Sequence, residues 1–493
     1  MRRRLASAVL LLGALGVAAA QPLAERVELV LKDSVRPRHG LWGLHAVSLS
    51  RGEPVFAFQA DSFFVPASTA KLFSTAAALI RLGPDHRFRT TVAASALPDS
   101  AGVIRGEVRL VGGGDPTLSG RQFPYRRDSQ PGNPMEPLLE LAKAVARKGV
   151  TRIQGDIIGD DTAYYWEPYP AGRAQEDSLW GYGAPVSALS FHDNRISIAV
   201  RPGRRVGDAA QIEIQPRVEY FFVENRVKTV AGRGSNVQIA RAPGSRQLRI
   251  WGTIGAQSKG EGRSLAVDDP ALYAAIAFRE ALIRCGISVS GRAVARHLYP
   301  GEPAPAAVAT AGEAILAERV SPPLSDILTV INKESVNLHA ELLLCELGRR
   351  RAGIGSRAAG LEELGEVMRE AGLPEGEARL FDGSGLSMLN MVTPRALTAL
   401  LAWMDKSPYR QAFRNSLAVA GEEGTLRQRF ASQPAARRIL GKTGTLSRVN
   451  AIAGYAETAE GERLAFAVLV NNHAAAGAEV RAIVDRICML LVE

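Results

Sequence analysis

From about residue 86 to about residue 265, apolar and polar positions alternate in short runs separated by turn residues, the pattern of half-buried strands. In one such run Leu248, Ile250 and Ile254 fall on one side, with Gln247, Arg249 and Thr253 on the other. The flanking regions follow a different rule. Leu41 to Leu49 and Val55 to Phe58 read as a strand pair joined by Ser50 to Pro54, and a helix is predicted from Ala67 or Ser68, with Pro66 just before its start. Leu72, Phe73, Ala76, Leu79 and Ile80 give that helix an apolar side, and Gly83-Pro84 ends it. Helical spacing returns over Asp269 to Arg284, closed by Gly286, then over Leu324 to Ile331 and Leu338 to Leu347. After Lys442 the pattern predicts strands at Ala451 to Glu457 and Leu464 to Val470, then a terminal helix through Val480 to Leu491. The last strand is apolar on both faces, as a sheet covered by helices on either side requires. Mixed helix and sheet segments, at 21–85 and 266–493, thus flank a β-rich insertion of one or two domains at 86–265.

Composition narrows the setting. Arg2, Arg3 and Arg4, the apolar stretch Leu5 to Val17 and Ala18-Ala19-Ala20 read as an export signal cleaved before Gln21. That stretch is shorter than the ~20 residues a membrane-spanning helix needs, so the expectation is a periplasmic protein freed from its signal. The formal charge of +10 falls to +7 without the three arginines. A mildly basic surface suits loose association with a membrane surface or an anionic envelope polymer, and it leaves a homodimer open. No block of like charge suggests a nucleic-acid arm. Cys285, Cys345 and Cys488 are too few for a disulfide framework, though one bridge remains open. His192 and His339 sit in unrelated segments and no His-Glu-x-x-His occurs, so neither a metal nor another cofactor is expected.

The chemistry lies in three short motifs in fixed order: Ser68-Thr69-Ala70-Lys71, Ser335-Val336-Asn337 and Lys442-Thr443-Gly444-Thr445. A lone Ser-x-x-Lys or Ser-x-Asn arises roughly once by chance in a chain this long, so the order and context carry the weight. Three residues apart on a helix, Ser68 and Lys71 share a face, which puts a base within reach of a nucleophile. Burial and a nearby cation, expected to be Lys442, would make Lys71 neutral enough to take a proton. Ser335 can relay a proton between Lys71 and a leaving amine, and Asn337 can hold a substrate amide carbonyl. Lys442 and the hydroxyls of Thr443 and Thr445 suit a terminal carboxylate, and Gly444 clears the strand edge for a substrate backbone. The backbone amides of Ser68 and Thr445 form a candidate oxyanion hole. Gly441-Lys442-Thr443 resembles the end of a phosphate loop, but residue 436 is Ala where the first glycine must stand.

Around these motifs the chain resembles the class C low-molecular-mass penicillin-binding proteins, the DacB-type D-alanyl-D-alanine carboxypeptidases and endopeptidases. The resemblance is carried by Pro66 to Phe73, Gly113 to Leu118, Tyr182 to Leu189, Asn332 to Asn337, Asp382 to Ser387 and Gly441 to Thr445. It implies an α+β fold, a β-lactamase/transpeptidase-like domain with helices around an antiparallel sheet, interrupted after its first catalytic helix. It also implies Ser68 as acylated nucleophile, Lys71 as base, Ser335 and Asn337 as second element, and Lys442, Thr443 and Thr445 as carboxylate-binding strand. Implied substrates are peptidoglycan stem peptides, with β-lactams as covalent inhibitors. Met388 stands where relatives often carry Arg, and Asp161, in Asp160-Asp161-Thr162, is placed by the resemblance near an amino-bearing stem-peptide side chain. Two competing readings are a β-lactamase on the same fold and a non-catalytic peptidoglycan-binding module.

Overall fold

In the computed structural model, which describes residues 22–32, 39–303, 313–430 and 433–493, the apolar strand Arg463–Asn471 lies inside a six-stranded sheet. The export signal expected at 1–20 lies outside the described residues. The strand order is Ala418–Val419, Ile439–Leu446, Val449–Glu457, Arg463–Asn471, Leu41–Ser48 and Pro54–Phe58, and all neighbours are antiparallel. Successive side chains of Arg463–Asn471 enter two different cores. Leu464, Phe466, Val468 and Val470 pack with the helices Leu23–Lys32 and Gly477–Leu490. Ala465, Ala467 and Leu469 face the helices Lys71–Leu82, Leu324–Glu334, Asn337–Ala352 and Pro394–Lys406. Small residues on that second face leave room for Phe73, Leu343 and Leu401 to fill the layer at interior density. This is the doubly covered sheet that its unbroken apolar run predicts.

The helix Lys71–Leu82 ends at Gly83, whose φ of 78° suits a residue without a side chain, and the chain then leaves for the inserted unit. The expected second boundary at 265 is too early. Helix Pro270–Arg284 and strands Ala293–Leu298 and Ala314–Val320 all belong to the insertion. Its five-stranded sheet runs Ala293–Leu298, Ile157–Tyr165, Val108–Gly112, Arg89–Ala94, Ala314–Val320, so the last strand pairs antiparallel with the first one to enter. Entry and exit lie side by side: Ser321 N donates to Phe88 O at 2.9 Å and Leu324 N to His86 O at 2.9 Å. The catalytic unit therefore resumes near Ser321, and the periodicity of Pro270–Arg284 marked a helix correctly but not its unit.

Beyond that sheet the insertion carries three three-stranded sheets, Phe222–Val230/Gln247–Gly255/Ser235–Ala240, Glu261–Ala266/Arg195–Arg201/Gln211–Gln215 and the short Ser288–Val289/Arg152–Ile153/Val103–Ile104. Leu248, Ile250 and Ile254 enter its core while Gln247, Arg249 and Thr253 stay exposed, as their alternation predicts. Gly112 to Pro116 form a turn after a strand, where Asp115 pairs with Arg319 at 2.6 Å. The three cysteines are free, with Cys345 and Cys488 buried and Cys285 half-buried. Among the described residues no helix is long and apolar enough to cross a membrane.

Candidate active site

Ser68 lies in a single 3-10 turn, Ala67–Ala70, that runs straight into the helix beginning at Lys71. The predicted helix start is thus right in place, but its first turn is wound more tightly. Two glycines let other elements press against that turn. A Cβ at Gly385 would lie 1.9 Å from Ala67 O, and one at Gly444 would lie 2.7 Å from Pro66 O and 3.0 Å from Ser68 N. Gly444 therefore brings its strand against the Ser68 turn.

Lys71 has no exposed surface, and its Nζ meets three oxygens: Ser68 Oγ at 2.8 Å, Asn337 Oδ1 at 2.6 Å and the carbonyl of Ser384 at 2.6 Å. Burial pulls its ammonium from 10.5 down to about 7. Asp382 and Glu341 oppose that fall, and Arg173 adds to it. Lys442, also without exposed surface, donates to Ser335 Oγ at 2.8 Å and to the carbonyl of Thr443 at 2.7 Å. Burial, and after it the charge of Lys71, holds Lys442 well below the usual lysine range. Two expectations change here. The cation that lowers Lys71 is Arg173, and Lys442 is itself held well below the usual lysine range by burial and then by the charge of Lys71. Ser335 sits on Lys442, while Asn337 takes the place beside Lys71.

Ser335 is left-handed at φ 58° and ψ 39°, closing the helix Leu324–Glu334, and Val336 is extended before the helix that opens at Asn337. The predicted break is present, although its geometry is a left-handed cap followed by one extended residue. The Asn337 side-chain oxygen accepts from Lys71 and one N–H of its Nδ2 donates to Tyr182 O at 2.9 Å, leaving the second N–H for a ligand.

Thr443 Oγ1 donates to Thr425 Oγ1 at 2.7 Å, and Thr445 is exposed. Strand Ile439–Leu446 pairs regularly with Val449–Glu457 to its end, so Lys442 and Gly444 share one face and the two threonines the other. On its outer side the short strand Ala418–Val419 pairs only with Leu440 and Gly441, so among the described residues no strand pairs with the edge from Lys442 to Leu446.

Asp161 is not part of this cluster. It lies within the strand Ile157–Tyr165, buried, with Ser187 Oγ at 2.8 Å and His297 Nδ1 at 3.0 Å. Burial raises its carboxyl, and His297 is its ion-pair partner. Met388 is exposed and its backbone N donates to Gly172 O at 2.9 Å. A cavity of about 590 Å³ opens beside the second motif, between Ser335 to Leu338 and Trp180 to Tyr182 of the insertion. A larger groove, about 1180 Å³, lies wholly within the insertion, and no motif residue lines it.

A serine and two buried lysines joined in this way fit the comparisons. Residues 23–490 match the D-Ala-D-Ala carboxypeptidase 3 (S13) family. The chain belongs to this family. It is 34% identical over 483 residues to a D-alanyl-D-alanine carboxypeptidase of Actinomadura sp. (strain R39), covering 96% of this chain and 84% of that one. Identity to the D-alanyl-D-alanine carboxypeptidase DacB of Haemophilus influenzae is 24%, over 87% of this chain and 85% of the relative. The crystal structure of penicillin binding protein 4 (dacB) from Haemophilus influenzae superposes with a TM-score of 0.79 at 23% identity, covering 94% of this chain and 97% of that one, and it shares the fold. This chain is thus a serine-type D-Ala-D-Ala carboxypeptidase of that family.

Site residues without a motif escaped the sequence reading. Tyr182 and Ser384 lie in segments that carry the family resemblance, a signal that was present but unused. Arg173 and Glu341 lie in none, and nothing in their spacing marks them as buried.

Proposed function

We propose that this carboxypeptidase works outside the cytoplasm on peptidoglycan stem peptides through an acyl-serine at Ser68, removing terminal D-alanine and opening D-alanyl cross-links. The observation that carries this reading is the contact between Ser68 Oγ and a buried Lys71 amine that titrates near neutrality. A neutral amine has two N–H groups and one lone pair. Asn337 Oδ1 and the Ser384 carbonyl can only accept, so they take the two N–H groups, and the lone pair is left for the proton of Ser68. Ser68 Oγ then attacks the carbonyl carbon as its proton passes to Lys71.

The substrate backbone lies along the unpaired edge from Lys442 to Leu446, with the amides of Ser68 and Thr445 receiving the oxyanion and the free N–H of Asn337 holding a further carbonyl. Its terminal carboxylate sits by the hydroxyls of Thr443 and Thr445, across the strand from Lys442. A negative group there favours the charged form of Lys442, and that new charge pushes Lys71 further toward neutrality. Ser335, bonded to Lys442, hands a proton to the departing amine and is reprotonated with the one Lys71 took from Ser68, so Lys71 is neutral again. Water then cleaves the ester, with Lys71 again taking a proton. A β-lactam enters the same acylation step and remains as the ester.

A fluorescent penicillin tests this: the wild type should be labelled and Ser68→Ala should not, and equal labelling of both would remove Ser68 as nucleophile. Digestion of purified muropeptides then measures bond preference, through D-alanine released from pentapeptides and monomers released from cross-linked dimers.

A further inference from the structure

Beneath Lys71 lies a buried charge cluster drawn from three parts of the chain. Glu341 comes from the helix Asn337–Ala352, Asp382 from the Asp382 to Ser387 loop, and Arg173 from the inserted unit. All three are almost fully enclosed, with side-chain exposures of 1%, 0% and 5% respectively. The Arg173 guanidinium donates to Glu341 Oε1 at 2.8 Å and to Ser384 Oγ at 3.2 Å, and stands 3.7 Å from Asp382 Oδ2. The two carboxylates in turn hold the loop: Glu341 accepts from Ser384 N at 3.1 Å, and Asp382 accepts from Gly385 N and Ser387 N, each at 2.8 Å. The carbonyl of Ser384 in this same loop is one of the three acceptors around Lys71.

The arginine is delivered by design of the backbone. Ser387 Oγ donates to Ala171 O at 2.7 Å and Met388 N to Gly172 O at 2.9 Å, so the inserted segment is clamped to the loop just before Arg173. Gly172 has a φ of 78°, and a Cβ there would lie 2.5 Å from Ser387 Oγ.

We propose that Arg173 is a positioning residue of the acylation step: it cancels the charge of the Glu341–Asp382 pair under Lys71 and fixes the Ser384 loop, so that Lys71 can accept the proton of Ser68. This rests on the Ser68–Lys71 reading given above. Two anions without their cation would hold a proton on Lys71, whereas the guanidinium balances them. The charged groups acting on Lys71 are Asp382, Glu341 and Arg173, and Lys442 is the other amine coupled to it. The inserted unit thereby becomes part of the base.

The test is the rate of acylation by fluorescent penicillin across pH 5.5–9.5 for folded wild type, Arg173→Gln, Arg173→Lys, Glu341→Gln and the Arg173→Gln/Glu341→Gln double variant. Arg173→Gln should move the acidic limb up by about one pH unit or more, seen as an about tenfold loss below neutrality that recovers in alkali. Arg173→Lys should keep the wild-type limb, Glu341→Gln should move it down, and the double variant should return it toward wild type. An unmoved limb in Arg173→Gln, or an equal loss at every pH, would overturn the proposal. If Arg173→Gln does not fold, Glu341→Gln decides: a limb moved down supports the proposal and an unmoved one sinks it. Labelling of Ser68→Ala is read separately, so a failure here is distinct from a failure of the nucleophile assignment.

Discussion

The strands Arg463–Asn471 and Gln247–Gly255 are both nine residues long, yet they solve opposite problems. The first sits between two helical layers and is buried from Leu464 onward, with large side chains on one face and mainly alanines on the other. The second belongs to a three-stranded sheet with one face in water, and its burial alternates from Gln247 to Ile250. A doubly covered sheet loses the polar signal of its outer face and gains a dry, stiff platform. The Lys442 strand belongs to that platform, and there burial holds the lysine amine well below its usual range. The half-wet sheet is distant in character, yet the unit that carries it also supplies Arg173 and Tyr182 to the site.

The sharpest way to break this contrast is at the dry site. Lys71→Met should slow acylation by about 10²–10⁴-fold, the contribution of a positioned base, as read by stopped-flow with a chromogenic β-lactam. In the wild type acylation should rise with pH through about 7, because Lys71 must lose its proton to act. The sign for stability agrees. The lysine titrates near 10.5 when unfolded and near 7 when folded, so between these values the native state binds fewer protons and the fold gains stability as pH rises.

Next in size is the platform itself. Phe466→Ala should cost about 3–5 kcal/mol in denaturant melts. On the opposite face of the same strand, Ala467→Leu should still cost about 1–3 kcal/mol, because it overfills a closed layer. The smallest effect belongs to the wet face. Arg249→Ala, which removes an exposed pair with Glu224, should change stability by about 0–1 kcal/mol although it neighbours buried Ile250. Comparable costs at positions 467 and 249 would erase the distinction between the two sheets.

Several parts of this molecule were legible from residues alone. The strand pair near Leu41, the helix after Ser68, the alternation around Ile250 and the terminal helix each depend on contacts close in sequence, so local pattern reports them. Ser68, Lys71, Ser335, Asn337 and Lys442 were legible because each belongs to a short motif in fixed order. The end of the insertion was not. Strands Ala293–Leu298 and Ala314–Val320 return to a sheet begun some two hundred residues earlier, and pairing over that span leaves no local trace. Asp161 looked like a ligand-facing carboxylate, and its partner His297 lies far along the chain.

What the sequence by itself determined was the family and most of the elements that carry the three motifs, since motif order and short-range periodicity suffice for these. Which amine meets which hydroxyl, which cation acts on Lys71 and where the inserted unit ends were decided only in three dimensions. Charge and burial act through space, and their partners are brought together by packing between segments that the order of residues leaves far apart.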